Sequence, residues 1–167
     1  MNNPLTKILQ FLDEIGIVYN MEPIIGDTFL PGLKIRNGTL IIDKTRLLYP
    51  GDVLHEAGHL ATMPPQIRIT MDDNLADNDL HKGGEMMAIA WSYAACIHLE
   101  IDPHIVFHEY GYKGGGADIV ANFSEGRFFG VPLLQWCGMA YEKKFAEQNN
   151  TKPFPHMLKW TCDQRPD

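Results

Sequence analysis

Apolar side chains recur every three or four residues at the start of the chain, which is the spacing of an amphipathic helix packed on a core. The recurrence runs from Leu5 to Ile15. Ile17 to Met21 then predicts a short strand. Next come two β-prone runs, Leu33–Arg36 and Thr39–Ile42, on either side of Asn37-Gly38. This pair predicts a hairpin, because both central residues of the tight turn need positive φ.

Two further helices follow the hairpin. The first begins near Pro50, because a proline ring suits the first turn of a helix, and it ends before the Pro64-Pro65 pair. The second runs from Glu85 to Leu99 and is apolar nearly all round, which predicts that it is buried. The stretch between them, from Pro64 to Lys82, is acidic and predicts a loop.

The last third of the chain carries weaker signals. Ala117 to Phe123 and Leu133 to Ala146 are candidate helices, and Trp160 is expected to anchor an irregular tail. Together the elements predict a single α+β domain over residues 1–167 with a small antiparallel or mixed sheet, in which residues from about 101 onward are not assigned a place. With 167 residues, 45% of them hydrophobic, the chain can bury one substantial core.

Charge and cysteine usage narrow the classes of function. The formal net charge of −7 argues against a surface for nucleic acid or an anionic membrane, which would need clustered Lys and Arg. The longest apolar stretch, Met86 to Leu99, is too short to span a bilayer. Cys96, Cys137 and Cys162 match no zinc-ribbon or disulfide spacing, and the first residues lack the features of a signal peptide. A cytoplasmic protein with reduced thiols is therefore expected.

The predicted helix after Pro50 carries His55-Glu56-Ala57-Gly58-His59, two histidines four residues apart with a carboxylate beside the first. Residues i and i+4 lie on one face of a helix, so both imidazoles can bind one Zn²⁺ at about 2.0–2.1 Å. Glu56 lies about 100° further round the helix. This position suits a general base that takes a proton from water better than it suits a third ligand. The alternative is a surface helix with two solvated histidines.

Glu85 is the candidate for the third metal ligand. It is a carboxylate at the start of a helix that is predicted to be buried, and such a group is costly unless it is paired or bound to a metal. Gly58 and Ala88 are small, which would let the two helices approach closely and bring Glu85 to the histidines. Alternatively, Glu85 only compensates the charge of the helix terminus.

These residues resemble the ligand pattern of the gluzincin metallopeptidases, in which His-Glu-x-x-His is followed by a glutamate on a later helix. The order of elements between residues 5 and 100 is most similar to the compact ImmA/IrrE group of bacterial zincins. The resemblance implies a zincin-like fold, zinc bound by His55, His59 and Glu85, and Glu56 as the general base.

A zinc hydrolase of this kind also needs a group that stabilises the oxyanion formed when water attacks a carbonyl. His108, Tyr110 and Tyr112 are the candidates in this chain. A structural role is the alternative for each of them, and it is the commoner role of tyrosine.

The sequence therefore predicts a zinc-dependent metallopeptidase of restricted specificity. Its substrate would be a peptide or protein, bound as an extended strand beside Thr39–Ile42, unless that strand is only a structural part of the sheet. Either the acidic segment Met71 to Leu80 or the segment Gly111 to Gly116 would cover the metal. Two alternatives stay open, namely a regulatory or partner-binding protein with a structural metal and a hydrolase of small amides or esters.

Overall fold

The computed structural model describes residues 3–73 and 79–166, and for residues 79–82 only the backbone. Within these residues it shows seven α-helices and one three-stranded mixed sheet, an α+β fold as predicted. The elements in chain order are α1 (Pro4–Ile15), β1 (Tyr19–Met21), β2 (Leu33–Arg36), β3 (Thr39–Ile42), α2 (Pro50–Ala61), α3 (Pro65–Arg68), α4 (Asp79–Leu99), α5 (Gly116–Ser124), α6 (Val131–Trp136) and α7 (Lys143–Gln148). None of these described helices is both long enough and apolar enough to cross a membrane.

The first helix forms as predicted because both of its ends are capped locally. The Asn3 side chain accepts a hydrogen bond from the backbone N–H of Leu5, and Pro4 occupies the first turn. Gly16 closes the helix in the left-handed region, with φ of 77°. The buried face packs on the core through residues at helical spacing, Leu5, Ile8, Phe11 and Leu12.

The sheet has the order β1-β3-β2, with β1 parallel and β2 antiparallel to β3. The predicted hairpin is confirmed, since Asn37 and Gly38 both have positive φ, 48° and 73°. The predicted first strand is shorter than expected, because β1 begins only at Tyr19. The side chains of Leu40, Ile41 and Ile42 on β3 are fully buried, so both faces of this strand are covered.

Because β3 is the central strand, the predicted binding of an extended peptide beside Thr39–Ile42 is wrong. β1 pairs along one side of β3 and β2 along the other. The parallel pairing of β1 joins segments about twenty residues apart, and no short turn signal marks such a pairing in a sequence. The outer edge of β2 lies by the candidate site instead, where Lys34 and Ile35 border a cavity that Glu56 and His59 also line.

Helices α2 and α4 approach each other closely at Gly58, where a side chain larger than hydrogen would make tight contacts with α4. A Cβ on Gly58 would lie 3.0 Å from Trp91 Cε3 and 3.2 Å from the carbonyl oxygen of Ala88. The predicted close approach of the two helices at Gly58 and Ala88 is therefore confirmed. Trp91 in turn donates a hydrogen bond from Nε1 to the carbonyl of Trp160, 3.0 Å away, so the tail is anchored at Trp160 as expected.

Two predictions of local structure are wrong. The segment from Pro64 to Lys82 is not all loop, because it contains α3 and the beginning of α4, which starts at Asp79 rather than Glu85. The helix predicted from Leu133 to Ala146 is two short helices. They are separated by Gly138, whose φ of 70° ends the helical path, and by the isolated bridge of Ala140 to Met157. Residues 74–78 of the predicted loop lie outside the described residues.

The last third of the chain, which the sequence left unassigned, packs against the same hydrophobic core as the first two thirds. Val120 of α5, Leu134 of α6 and Cys162 of the tail belong to one cluster with the buried residues of α1, α2 and α4. Gly51 shows how close this packing is, because a Cβ there would lie 2.0 Å from the carbonyl oxygen of Ile105. Ile105 and Val106 are thereby held against the beginning of α2.

Candidate metal centre and its surroundings

His55, His59 and Glu85 meet where α2 crosses α4. His55 and His59 lie one turn apart on α2 and are 8% and 6% exposed, so the solvated-histidine alternative is wrong. Their Nε2 atoms are 3.2 Å apart. Glu85 reaches both from α4, with Oε1 3.2 Å from His55 Nε2 and Oε2 2.9 Å from His59 Nε2. The candidate ligand atoms all lie within 4.8 Å of one another.

The spacing of these donor atoms fits a small divalent cation. Four ligands arranged tetrahedrally at about 2.0–2.1 Å from Zn²⁺ are about 3.3 Å from one another. The observed separations are 2.9 to 3.2 Å, close to this value, with each histidine nitrogen next to a different oxygen of the Glu85 carboxylate. Two imidazoles with one carboxylate are also a ligand set that occurs at catalytic zinc, where a fourth position is left for water or substrate. The donor set therefore fits zinc.

The electrostatics of Glu85 are those of an ionised ligand. Burial raises the pKa of its carboxyl, but hydrogen bonds and attraction from His55 and His59 outweigh burial and hold this pKa well below its usual range. The alternative, that Glu85 only compensates the charge of the helix terminus, is excluded because α4 begins at Asp79, nearly two turns before Glu85. The carboxylate is available to a cation throughout the neutral range.

Glu56 lies next to His55 on α2 but faces a different set of neighbours. Burial raises the pKa of its carboxyl to about 7, against the opposing attraction of His59 and with the support of the Glu85 charge. Glu56 borders both cavities that adjoin the metal-ligand cluster. A partly buried carboxyl with a pKa near neutrality can both accept and return a proton, which is the requirement for general acid–base chemistry.

One ring nitrogen of the cluster has no partner among the residues described. His55 Nδ1 is buried and makes no hydrogen bond there. One turn after Glu85 on α4, the position is occupied by the buried Ile89, whose side chain offers no acceptor. A ligating histidine is usually oriented by a hydrogen bond to its other nitrogen. Packing therefore has to orient His55, and the ring of Tyr112 supplies part of it at a centroid distance of 5.3 Å.

Tyr112 is the oxyanion candidate that the fold brings to the cluster. Its ring meets that of His55 edge to face, at 83°. Burial raises the pKa of the Tyr112 hydroxyl, and the nearby carboxylates of Glu85, Asp52 and Glu56 raise it further. The phenol is therefore held as a protonated donor. The backbone of Tyr112 has φ of 55°, a left-handed conformation that bulky residues rarely adopt.

The other two oxyanion candidates lie in the wall of the site and not against the ligands. His108 is paired through Nε2 with Asp52 Oδ1 at 2.8 Å, and its ring stacks on Tyr49 at a centroid distance of 4.1 Å. Tyr110 stacks on Tyr49 at 5.6 Å and is 72% exposed. Asp52, a carboxylate in the first turn of α2, is a buried partner of His108. Nothing local in the sequence could reveal a pair 56 residues apart.

Two cavities flank the metal-ligand cluster, and the sequence did not predict them. The larger, about 470 Å³, lies on the His55 side, and the smaller, about 200 Å³, on the His59 side. Phe29 and Leu30 border both, as do Glu56 and Glu85. The one signal in the sequence was an apolar pair, Phe29-Leu30, inside a stretch rich in glycine and proline. An exposed aromatic residue in such a loop is a common sign of a binding surface.

The segment before residue 74 runs along the outer edge of β2. Asp73 Oδ1 accepts the backbone N–H of Ile35 at 2.7 Å, and Asp72 Oδ1 accepts that of Asn37 at 2.8 Å. The N–H of Gly38 donates to the carbonyl of Met71 at 2.9 Å. Asp72 and Asp73 line the smaller cavity, and Gly111 lines the larger. The described parts of both predicted covering segments therefore do border the site.

No protein-family profile, no curated protein and no solved structure matches this chain. What the molecule can do follows from its own side chains. They form a metal-ligand cluster between two cavities, a carboxyl of raised pKa that borders both cavities, and a phenol that borders the larger one.

Proposed function

We propose that this chain is a zinc-dependent hydrolase, and specifically a zincin-like metallopeptidase of restricted specificity. The observation that carries the proposal is the convergence of His55, His59 and Glu85 within 4.8 Å, from two helices, with Glu56 alongside. The resemblance of these four residues to the gluzincin pattern, and of the first hundred residues to the ImmA/IrrE group, adds support. The buried, unpaired thiols of the three cysteines suit a reducing compartment, so we place the activity in the cytoplasm.

In this proposal His55, His59 and Glu85 hold the zinc. When bound, zinc supplies Lewis acidity, which polarises a carbonyl and makes water more acidic. Glu56 accepts the proton of the attacking water, and its pKa of about 7 leaves it able to deliver that proton to the departing amine. Tyr112 donates a hydrogen bond to the oxyanion that develops on the substrate carbonyl.

A peptide suits the site better than a small amide or ester. The two cavities meet at Glu56 and Glu85, so a substrate can extend to either side of the bond that is cut. A small molecule would fill only one of them. Phe29 and Leu30 between the cavities, with Asp72 and Asp73 at one end, restrict the chains that can enter. We therefore expect cleavage of one or a few proteins and little activity on unstructured general substrates such as casein.

The test compares the wild type with Glu56→Gln. Glutamine keeps the size and hydrogen bonding of Glu56 but cannot accept a proton, so zinc content and fold should survive while hydrolysis falls by a factor of about 10² or more. Both proteins are incubated with cell extract, and newly formed protein termini are compared by mass spectrometry. Glu14→Gln, an exposed residue on α1, is the matched control and should cleave like the wild type.

Each of the other results has a definite meaning. Equal cleavage by wild type and Glu56→Gln would refute the mechanism. Broad digestion of the extract by the wild type would refute the restriction in specificity. An absence of new termini with both proteins, in samples that retain zinc, would favour the partner-binding alternative.

A further inference from the structure

We propose that the larger cavity, on the His55 side, is a specificity subsite that takes an aromatic side chain of the substrate, next to the bond that is cut. The inference rests on the proposed function, because only a hydrolase has a substrate to select. The cavity itself is a feature of the fold. Its volume of about 470 Å³ falls within the range of ligand-binding pockets, which begins near 300 Å³.

One wall of this cavity is a stack of three rings. Tyr49 stacks with both other rings, with His108 at a centroid distance of 4.1 Å and an angle of 17°, and with Tyr110 at 5.6 Å and 28°. The His108 ring is fixed by its hydrogen bond to Asp52, a buried residue of α2. The outermost ring, Tyr110, is 72% exposed. A rigid aromatic wall with a free outer face favours an aromatic partner by offset or edge-to-face packing.

A second part of the border is also aromatic. Phe29 is 98% exposed although it borders the cavity, and Leu30 and Pro31 continue the same apolar border. A phenyl ring that folding leaves almost completely in water gains nothing for stability, and apolar groups exposed together around a concavity are a mark of a binding site. The substrate ring would lie between Tyr110 and Phe29 and remove both from water.

The backbone that carries this wall is strained in a way that serves the site. Tyr112 and Lys113 are consecutive non-glycine residues in the left-handed region, with φ of 55° and 53°. Such strain is retained when the surrounding structure requires it, and it is common at ligand-binding positions. Here it lets Tyr112 contact His55 while Tyr110, two residues earlier, remains at the cavity. The subsite and the oxyanion donor are thus parts of one short segment.

The charges around the two cavities explain why selection for a ring belongs to the His55 side. In the larger cavity the carboxyl of Asp52 is already paired with His108, and those of Glu56 and Glu85 are used by the proposed chemistry. Lys113 at the border disfavours a cationic side chain. The smaller cavity, about 200 Å³, is bordered by the charged side chains of Lys34, Asp72 and Asp73, which a ring would have to desolvate, so it favours a ring less.

The first experiment measures selectivity on peptides. A series of fluorogenic peptides taken from a cleaved sequence carries Phe, Tyr, Leu or Ala on each side of the bond that is cut. At one of the two positions we expect kcat/KM about tenfold higher for Phe than for Ala. Tyr110→Ala should reduce this ratio to about two, and because Tyr110 is exposed the fold is not at risk. Phe145→Ala, which removes a partly exposed ring on α7, is the matched control and should keep the ratio.

The second experiment needs no hydrolysis. Phenylacetohydroxamic acid and acetohydroxamic acid differ by one phenyl ring, and both bind zinc through the same group. Their binding to zinc-loaded Glu56→Gln is measured by calorimetry, alone and combined with Tyr110→Ala. We expect the phenyl compound to bind about tenfold more tightly, and the second substitution to remove most of the difference.

The two experiments separate the subsite from the proposed function. A phenyl preference that depends on Tyr110, in a protein that cuts no peptide, would uphold the subsite and overturn the peptidase. Cleavage without any preference for a ring, or equal binding of the two hydroxamates, would overturn the subsite and leave the hydrolase standing. Failure of both hydroxamates to bind protein that holds zinc would overturn the subsite as well.

Discussion

The crossing of α2 and α4 allows a direct test of what sets the geometry of the metal-ligand cluster. Gly58→Ala would add a Cβ that lies 3.0 Å from Trp91 Cε3 and 3.2 Å from the Ala88 carbonyl oxygen. Trp91 is fully buried and the Ala88 contact is with backbone, so neither neighbour can move aside easily. The substitution therefore has to move the two helices apart by a few tenths of an ångström.

Gly83→Ala provides the matched comparison on α4. The same atoms are added within a helix, but the new Cβ would meet only Leu133 Cδ1, at 3.8 Å. Both substitutions gain about 1 kcal/mol from helix propensity. Only Gly58→Ala also carries an overpacking cost of about 1–3 kcal/mol. The free energies of unfolding of the two variants should therefore differ by about 1–3 kcal/mol, with Gly83→Ala the more stable.

Two assays are needed. Urea unfolding in the presence of a chelator measures the free energy of unfolding without metal. Competition with a chromophoric chelator measures the affinity for zinc. Displacing Glu85 from His55 and His59 should weaken zinc binding in Gly58→Ala by about tenfold, a loss comparable to that of a group supporting a ligand. Gly83→Ala should bind zinc like the wild type. If both variants were equally stabilised and bound zinc equally well, close packing at Gly58 would not set the position of Glu85.

Three further predictions concern single groups. Glu85→Ala should lower the zinc content, measured by metal analysis, from about one equivalent to a small fraction of it. The same change at the exposed Glu14 should leave the zinc content unchanged. Full retention of zinc by Glu85→Ala would show that Glu85 is not a ligand. Tyr112→Phe should lower kcat about 10²-fold with little change in KM, because only the oxyanion loses a donor, and an unchanged kcat would refute that role. Burial raises the pKa of Cys96 to about 12 and that of Cys162 to about 11, so both thiols stay protonated at pH 8. Their alkylation by iodoacetamide should therefore be at least about 100-fold slower than in urea, and fast labelling of the folded protein would contradict the burial.

The parts of the fold that short-range signals specify could be predicted from the sequence. The Asn37-Gly38 turn needs positive φ at both residues, and the ring of Pro50 suits the first turn of a helix. The position of Glu85 required a longer inference, from the cost of a carboxylate in a buried helix and the small size of Gly58. The inference was correct because the cost of burying a carboxylate and the small size of a glycine can each be read from a single residue.

The features that were missed depend on residues far apart in the chain. The pairing of β1 with β3 made the expected edge strand a central one, and no local pattern indicates a parallel pairing. The contacts of Asp52 with His108, and of Tyr49 with both His108 and Tyr110, join α2 to a segment more than fifty residues later. Such contacts result from packing, and neither of the two residues carries a local sequence pattern that predicts them.

Asp72 and Asp73, which accept hydrogen bonds at the outer edge of the sheet, also bear on how copies of this protein behave toward one another. A sheet edge with free N–H groups is a place where a strand of a second molecule can add, which begins aggregation. Here the outward N–H groups of Ile35 and Asn37 are taken by Asp73 and Asp72, and the charge of those carboxylates repels the like edge of another copy. The strand beside the candidate site thus carries its own protection against self-association. Replacing both aspartates by alanine would leave the N–H groups of Ile35 and Asn37 open to pairing between molecules.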